Sequence, residues 1–297
     1  MDYKNQIDLF LEKNLSQKKM IVVYGPTACG KTGLGIEIAK YLNSEIISTD
    51  SRQIFKYLDI GTGKVTFEEM QGIPHHMIDI ISPNIHYSVG EFKKEAQKLI
   101  LEIHSKGKIP ILVGGTGLYI DSLMYDFEIP EVPADENLRK ILEDEAQVFG
   151  KEFVYEKLKK IDPEYAQEVH PNNLNYVIRG IEVKMLTGKS KKDFQTEKKF
   201  KYDTLLLTPY DGNREKLYEK INFRVGKMFE DGLIHEVENI LKMGYKKTDF
   251  GLKTIGYEET IGYLEGKLTL QECITKVQQG NRNYAKRQLT WFGKYNY

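Results

Sequence analysis

The chain has 297 residues, 40% of them apolar and 29% charged, and its acids and bases balance at a formal net charge of zero. This is the composition of a soluble globular protein of one or two domains, so any contact with nucleic acid must come from a local basic patch rather than from bulk charge. No apolar run approaches the ~18 residues of a membrane-spanning helix, no signal-peptide core follows Met1, and two distant cysteines, Cys29 and Cys273, indicate a reducing cytoplasm rather than a disulfide framework.

Residues 1–19 read as a short helical extension. Met20–Tyr24 is an apolar run that reads as a buried strand. Gly25, Pro26, Thr27, Ala28, Cys29, Gly30, Lys31 and Thr32 then fit the P-loop pattern G-x-x-x-x-G-K-[ST]. Leu34, Ile38 and Leu42 follow at helical spacing. Strand, glycine loop and helix form the context that the pattern requires. Backbone amides and a helix N-terminus attract an anion, Lys31 adds a point charge, and Thr32 offers a ligand for Mg²⁺. The loop points to a diphosphate or triphosphate without saying what carries it.

Glu45–Thr49 reads as a second strand that delivers Asp50, Ser51, Arg52 and Gln53 at its carboxyl end. Leu58–Lys64 is a glycine-rich loop, and Pro74–Asp79 leads to a short extended piece. Ser88–His104 is predicted helical, with Phe92, Ala96, Leu99, Ile100 and Ile103 on one face and Gly107 as its stop. Ile109–Val113 is another buried strand, followed by Gly114, Gly115, Thr116 and Gly117 and a helix from Leu118. The alternation predicts an α/β fold, a P-loop parallel sheet flanked by helices. Ligands of such sheets sit outside the carboxyl ends of the strands. The P-loop, Asp50–Ser51 and Gly114–Thr116 are therefore expected to converge on one crevice.

The pattern changes after residue 129. Residues 130–203 read as an all-helical insertion domain, between core segments 1–129 and 204–297. One helix runs through Leu138, Ile141, Leu142 and Ala146, and another starts at Asp162 with Pro163 in its first turn. A third carries the stripe Leu174, Val177, Ile178, Ile181 and Met185 and stops at Gly188. Lys189–Lys201 is lysine-rich and is expected to be a mobile loop. Thr204–Thr208 returns as a core strand. The helix Asn213–Glu230 places Arg224 on the same face as Leu217, Ile221 and Met228. Arginine is rarely buried unless paired, so Arg224 points inward to an anion or to an internal salt bridge. The last helix, Glu272–Phe292, carries Lys276, Arg282, Lys286 and Arg287, with Tyr284 and Trp291 between them and no acid after Glu272. It reads as an RNA-facing strip or as a solvated face.

A P-loop enzyme that hydrolyses ATP holds its metal with an aspartate at the end of an apolar strand. Here Ile109–Val113 ends in two glycines, and Asp50 is the nearest substitute, as a metal-linked residue, a general base or a turn cap. A kinase or another diphosphate-using transferase stays open.

Gly25–Thr32, Ile47–Ser51, Leu58–Thr62, Pro74–His75, Val113–Thr116, His170–Asn172, Ile255–Tyr257 and Tyr284–Phe292 occur in this order. Over Lys19–Phe292 the sequence resembles the bacterial tRNA dimethylallyltransferases. The resemblance implies transfer of a dimethylallyl group from dimethylallyl diphosphate to N6 of adenosine 37 in the anticodon stem-loop of tRNA, within A36-A37-A38. It assigns Asp50 as the base, Gly25–Thr32 and Arg224 as the diphosphate clamp, Lys31 and Arg224 as catalytic cations, and Mg²⁺ held in part by Thr32. It implies tRNA contacts by Asp50, Ser51, Arg52, Gln53, Thr116, Arg139, Asn175, Tyr176, Val177, Ile178, Arg179, Lys253, Thr254, Ile255, Gly256, Tyr257 and Glu258. Arg282, Lys286 and Arg287 join these more from their spacing than from the resemblance. A monomer is expected, with no membrane partner. Three departures stand out: Cys29 where the family more often has serine, Lys220 for an arginine one turn before Arg224, and an end at Tyr297 where relatives usually continue, from which a missing last element is expected. The competing readings are a P-loop nucleotide or small-molecule kinase, with the insertion as its lid, and a non-enzymatic RNA-binding protein.

Overall fold

Met20, Ile21, Val22 and Val23 are completely buried, as a strand covered on both faces requires. The computed structural model describes residues 3–13, 18–125, 134–194 and 199–295. The chain divides into two compact units: Met1–Met124 with Phe200–Tyr297, and Tyr125–Lys199. The border expected at 130 lies outside the described residues. The one expected at 203 moves to 199/200, because Asp203 already pairs with Lys19 in the sheet of the larger unit.

In chain order the larger unit begins with α1 (Tyr3–Glu12), β1 (Lys19–Tyr24), α2 (Lys31–Tyr41), β2 (Ile46–Ser48), α3 (Phe67–Met70), β3 (His75–His76), α4 (Val89–Ser105), β4 (Ile111–Gly114) and α5 (Gly117–Met124). The smaller unit supplies α6 (Glu136–Phe149), α7 (Lys151–Ile161), α8 (Pro163–Ala166) and α9 (Leu174–Thr187). The larger unit resumes with β5 (Asp203–Leu207), α10 (Arg214–Glu230), α11 (Leu233–Lys242), α12 (Tyr257–Leu264) and α13 (Leu270–Phe292). Its sheet is parallel throughout, in the order β3-β2-β4-β1-β5.

Local chemistry explains the helix starts. Ser88 and Glu91 close a capping box on α4, and Thr269 and Glu272 close one on α13, each satisfying orphan amides of the first turn. Val23, Leu34, Ile38, Ile111 and Val113 join one apolar cluster that seats α2 on the sheet. A second cluster, around Ile54, Leu58, Leu233, Val237 and Tyr257, binds the Leu58–Lys64 loop to α11 and α12. Below the strands, buried Glu45 accepts hydrogen bonds from His76, Lys106 and Lys108. Among the described residues no helix is long and apolar enough to cross a membrane, and Cys29 and Cys273 are free and buried.

In the smaller unit Leu142, Ala146, Val154, Leu158, Val177 and Ile181 form the core. Two expected core positions are corrected: Ile141 is 56% and Met185 62% exposed. α6 buries Leu142 and Ala146, with Leu138 half-buried on the same i, i+4 row, which leaves Ile141 outside. On α9 the buried row ends on Val183 instead of Met185. Asp162 caps the single turn α8 by accepting from the Tyr165 amide. The loop expected to be mobile is a 3₁₀ turn over Lys191–Phe194, with the Lys191 ammonium over the rings of Tyr165 and Tyr176 at 5.2 and 4.8 Å; residues 195–198 lie outside the described residues.

Candidate active site

β1 runs straight into the glycine loop, which turns through positive φ at Gly25 (143°), Ala28 (63°) and Gly30 (94°) and starts α2 at Lys31. The Lys31 ammonium donates to the Pro26 carbonyl at 2.7 Å, closing the loop on itself. The loop borders a crevice of about 340 Å³. Thr27, Gly30, Lys31 and Thr32 line it from the loop, Ser48, Asp50 and Gln53 from the end of β2, and Thr62 and Gly63 from the glycine-rich loop. Lys220 and Arg224 of α10 and Tyr284 and Gln288 of α13 complete it.

Arg224 points inward, as its place on the apolar face of α10 predicts. One guanidinium nitrogen, Nη2, donates to Thr27 Oγ1 at 2.5 Å. Its Nε is buried without a hydrogen-bond partner, and among the described residues no carboxylate stands within 4.0 Å of it. The internal salt bridge is thus not formed. Burial lowers its pKa, while the charge of Asp50 acts in the opposite sense. A desolvated cation with an unmet donor favours an anion beside it.

Asp50 caps a turn: Oδ1 accepts from the Arg52 amide at 2.8 Å. This uses one oxygen of a carboxylate that still faces the crevice, so the cap and a chemical role are compatible. Across from it, Ser51 and Thr116 are linked, the Ser51 amide donating to Thr116 Oγ1 at 3.0 Å. The glycines after β4 have a steric cause. A Cβ on Gly114 would overlap Thr49 Oγ1, and one on Gly115 would overlap the Gln288 amide. No aspartate fits there.

Three residues without a role in the sequence reading belong to this site. Gln288 is buried; its Oε1 accepts from the Thr27 amide at 2.8 Å and its Nε2 donates to the Gly115 carbonyl at 2.9 Å. Its signal was a glutamine in register with Cys273, Val277, Asn281 and Ala285 on the buried face of α13. Tyr284, one turn earlier, also lines the crevice. Burial pushes its hydroxyl up to about 12, helped by the charge of Asp50, so it stays protonated. His75 lines the crevice with Nδ1 bonded to the Ile73 carbonyl at 2.8 Å. Burial lowers its pKa, so its imidazole is neutral at pH 7.

The residues expected to contact RNA divide. Arg52, Asn175, Tyr176, Lys253, Glu258, Lys286 and Arg287 are exposed, and Ile255 is half-buried. Gln53 turns into the crevice, its amide donating to the Gly63 carbonyl. The side chains of Val177 and Ile178 lie in the core of the smaller unit, at 0% and 3% exposure. Thr254, Gly256 and Tyr257 are likewise buried, because α12 packs this turn against α11. Arg282 donates to Asn222 at 2.5 Å and to Gln279 at 2.7 Å. Arg139 holds Glu182 through two bonds of 2.9 Å, and Arg179 pairs with the same carboxylate.

Fold and crevice define the class: an α/β protein with a parallel sheet, whose glycine loop borders a polar crevice that also holds Lys31, Lys220 and Arg224. The IPP transferase family model matches residues 53–295, and the chain belongs to this family. The tRNA dimethylallyltransferase of Caldanaerobacter subterraneus subsp. tengcongensis is 45% identical over 283 residues, covering 94% of this chain and 90% of the relative. That of Alkaliphilus oremlandii is 49% identical over 281 residues, with the same coverage. Among solved structures, the tRNA delta(2)-isopentenylpyrophosphate transferase of Staphylococcus epidermidis is 42% identical, with a TM-score of 0.66, covering 93% of this chain and 90% of its own. A eukaryotic dimethylallyltransferase acting on tRNA is 32% identical, with a TM-score of 0.79, covering 93% and 70%. The relatives are enzymes that transfer a prenyl group, and the kinase reading is not favoured.

Proposed function

We propose that this chain transfers a dimethylallyl group from dimethylallyl diphosphate to N6 of adenosine 37 in the anticodon loop of tRNA, releasing diphosphate. The observation that carries the reading is Arg224, a half-buried arginine whose Nε is buried with no hydrogen-bond partner, in the crevice that also holds the glycine loop and Asp50. The N6 lone pair bonds to C1 of the dimethylallyl group as the C1–O bond to diphosphate breaks. Asp50 accepts the N6 proton. The loop amides, Lys31 and Arg224 stabilise the charge that grows on the departing diphosphate. Tyr284, protonated, supplies a donor near Asp50, and neutral His75 adds no charge near the electron-poor carbon.

The polar lining fits Mg²⁺ only as an ion held largely by substrate phosphates. Thr32 offers a hydroxyl, while no group of three or more His, Cys, Asp or Glu side chains that could hold a metal occurs among the described residues. Mg²⁺ keeps waters and phosphate oxygens in such settings and supplies charge neutralisation. On this reading Arg52, Lys253, Lys286 and Arg287 meet RNA phosphates, Tyr176 stacks on a splayed base, and the helical unit is a second tRNA-contacting domain. The target adenine must leave the base stack to reach the crevice.

The test incubates the protein with dimethylallyl diphosphate, Mg²⁺ and an anticodon stem-loop bearing A36-A37-A38. Mass spectrometry should find one dimethylallyl group on A37. An unmodified stem-loop with ATP consumed would instead make the chain a kinase. Asp50→Ala should abolish transfer and leave diphosphate binding within about threefold; transfer near the wild-type rate would remove Asp50 from the base role.

A further inference from the structure

The Leu58–Lys64 loop forms one wall of the crevice, yet its middle carries little side-chain substance of its own. It is held from outside. The backbone amides of Asp59 and Ile60 donate to Glu236 Oε2 at 3.1 and 2.7 Å, and the Gly61 amide donates to Oε1 at 3.3 Å. The hydroxyl of fully buried Tyr257 donates to the same Oε1 at 2.5 Å. Three successive N–H groups converging on one anion form a nest, filled here by a carboxylate of the chain itself. The fit is close: a Cβ on Gly61 would overlap the Tyr257 ring. The next two residues, Thr62 and Gly63, face the crevice, and a Cβ on Gly63 would lie 3.3 Å from Arg224 Nη1. The pinned loop therefore passes beside the Arg224 guanidinium, with room for no side chain at Gly63 unless the guanidinium gives way.

We propose that Glu236 is a positioning residue for the diphosphate: by pinning residues 59–61 it fixes the Gly63 wall and thereby the direction of the Arg224 guanidinium. This rests on the diphosphate reading given above. Glu236→Gln keeps the shape of the side chain but turns a donor toward amides that themselves donate, so the nest opens and the wall shifts. Displacements of an ångström at a binding group cost up to ~100-fold in rate.

The experiment is a double-mutant cycle on binding of magnesium diphosphate, measured by calorimetry for wild type, Glu236→Gln, Arg224→Ala and the double variant, with transfer kinetics alongside. Glu236→Gln should weaken diphosphate binding and lower kcat, each by ~10-fold or more, while KM for the stem-loop stays within about twofold. The double variant should bind no more weakly than Arg224→Ala alone, because both changes remove the same contact. Losses that multiply in the double variant would overturn the proposal. So would a Glu236→Gln protein with lowered Tm but binding and kcat within about twofold of wild type. If Glu236→Gln does not fold, Tyr257→Phe, which removes one donor from Oε1, should give a smaller loss in both readouts and the same non-additivity; no loss would overturn it. The binding cycle decides the matter without turnover, so a wild-type protein that binds magnesium diphosphate and transfers nothing refutes only the proposed reaction.

Discussion

At the scale of single residues the site depends on Thr27. Its hydroxyl accepts from Arg224 and its amide donates to Gln288, so the P-loop is tied to α10 and α13 through one side chain and one peptide group. Removing a buried partner leaves groups unpaired, at about 1–3 kcal/mol. Gln288→Ala, which orphans the Thr27 amide and the Gly115 carbonyl, should therefore lower the unfolding free energy by about 2 kcal/mol, read by denaturant titration. A loss below about 0.5 kcal/mol would mean that the two groups find other partners. Arg224 was legible in the sequence, because an arginine among core positions at helical spacing asks for an explanation. Gln288 and Glu236 were not. The partner of Gln288 is 261 residues away and that of Glu236 is mostly backbone, and neither kind of partner leaves a local pattern.

At the scale of elements, continuous apolar runs marked the buried strands and the glycine loop marked the start of α2. The two-residue β3 left only a hint, since its register comes from β2 rather than from its own sequence. The burial of Val177 and Tyr257 could not be read from their motifs, because a motif gives no side-chain direction: each lies on the inward face of its helix. The sheet also has an electrostatic pin. Burial would raise the pKa of Glu45, but hydrogen bonds from Lys106, His76 and Lys108 outweigh it and hold the carboxyl at about 2, against 4.5 when unpaired. A carboxyl depressed on folding stabilises above its unfolded pKa, and that contribution disappears as pH falls through the folded value. Wild-type stability should thus decline from about pH 4.5 toward pH 2. Glu45→Gln should be less stable at pH 7 and show a shallower decline across this window in acid titration followed by circular dichroism. An unchanged slope would show that the ion cluster adds nothing.

At the scale of the whole molecule, the helical unit was legible as a change of pattern, while the pairing of its arginines with Glu182 was not. Glu182 is completely buried and binds Arg139, Arg179 and the Asp135 amide, and hydrogen bonds from the two arginines hold its pKa down against the effect of burial. Breaking a buried pair by removing one partner is costly, so Arg139→Ala should destabilise this unit by on the order of 3 kcal/mol, visible as a lower Tm. Exposed Lys286 predicts a different outcome. If it meets a phosphate, Lys286→Ala should leave Tm unchanged and reduce the slope of log affinity for the stem-loop against log salt by about one. An unchanged slope would remove α13 from the RNA surface.

The order of the sheet also sets a timetable for synthesis. β1 leaves the ribosome early, yet its partner on one side, β5, lies beyond the entire helical unit. At ~5–20 residues per second the roughly 180 intervening residues take on the order of ten to forty seconds to make. Through that interval one edge of this buried, largely apolar strand has no mate, and unpaired apolar edges are where nascent chains stick to each other. The crevice stays open longer still, until Gln288 is made and reaches Thr27. A ribosome-stalled chain ending before β5 should therefore bind a chaperone, and one ending between β5 and Gln288 should release it while lacking a closed P-loop.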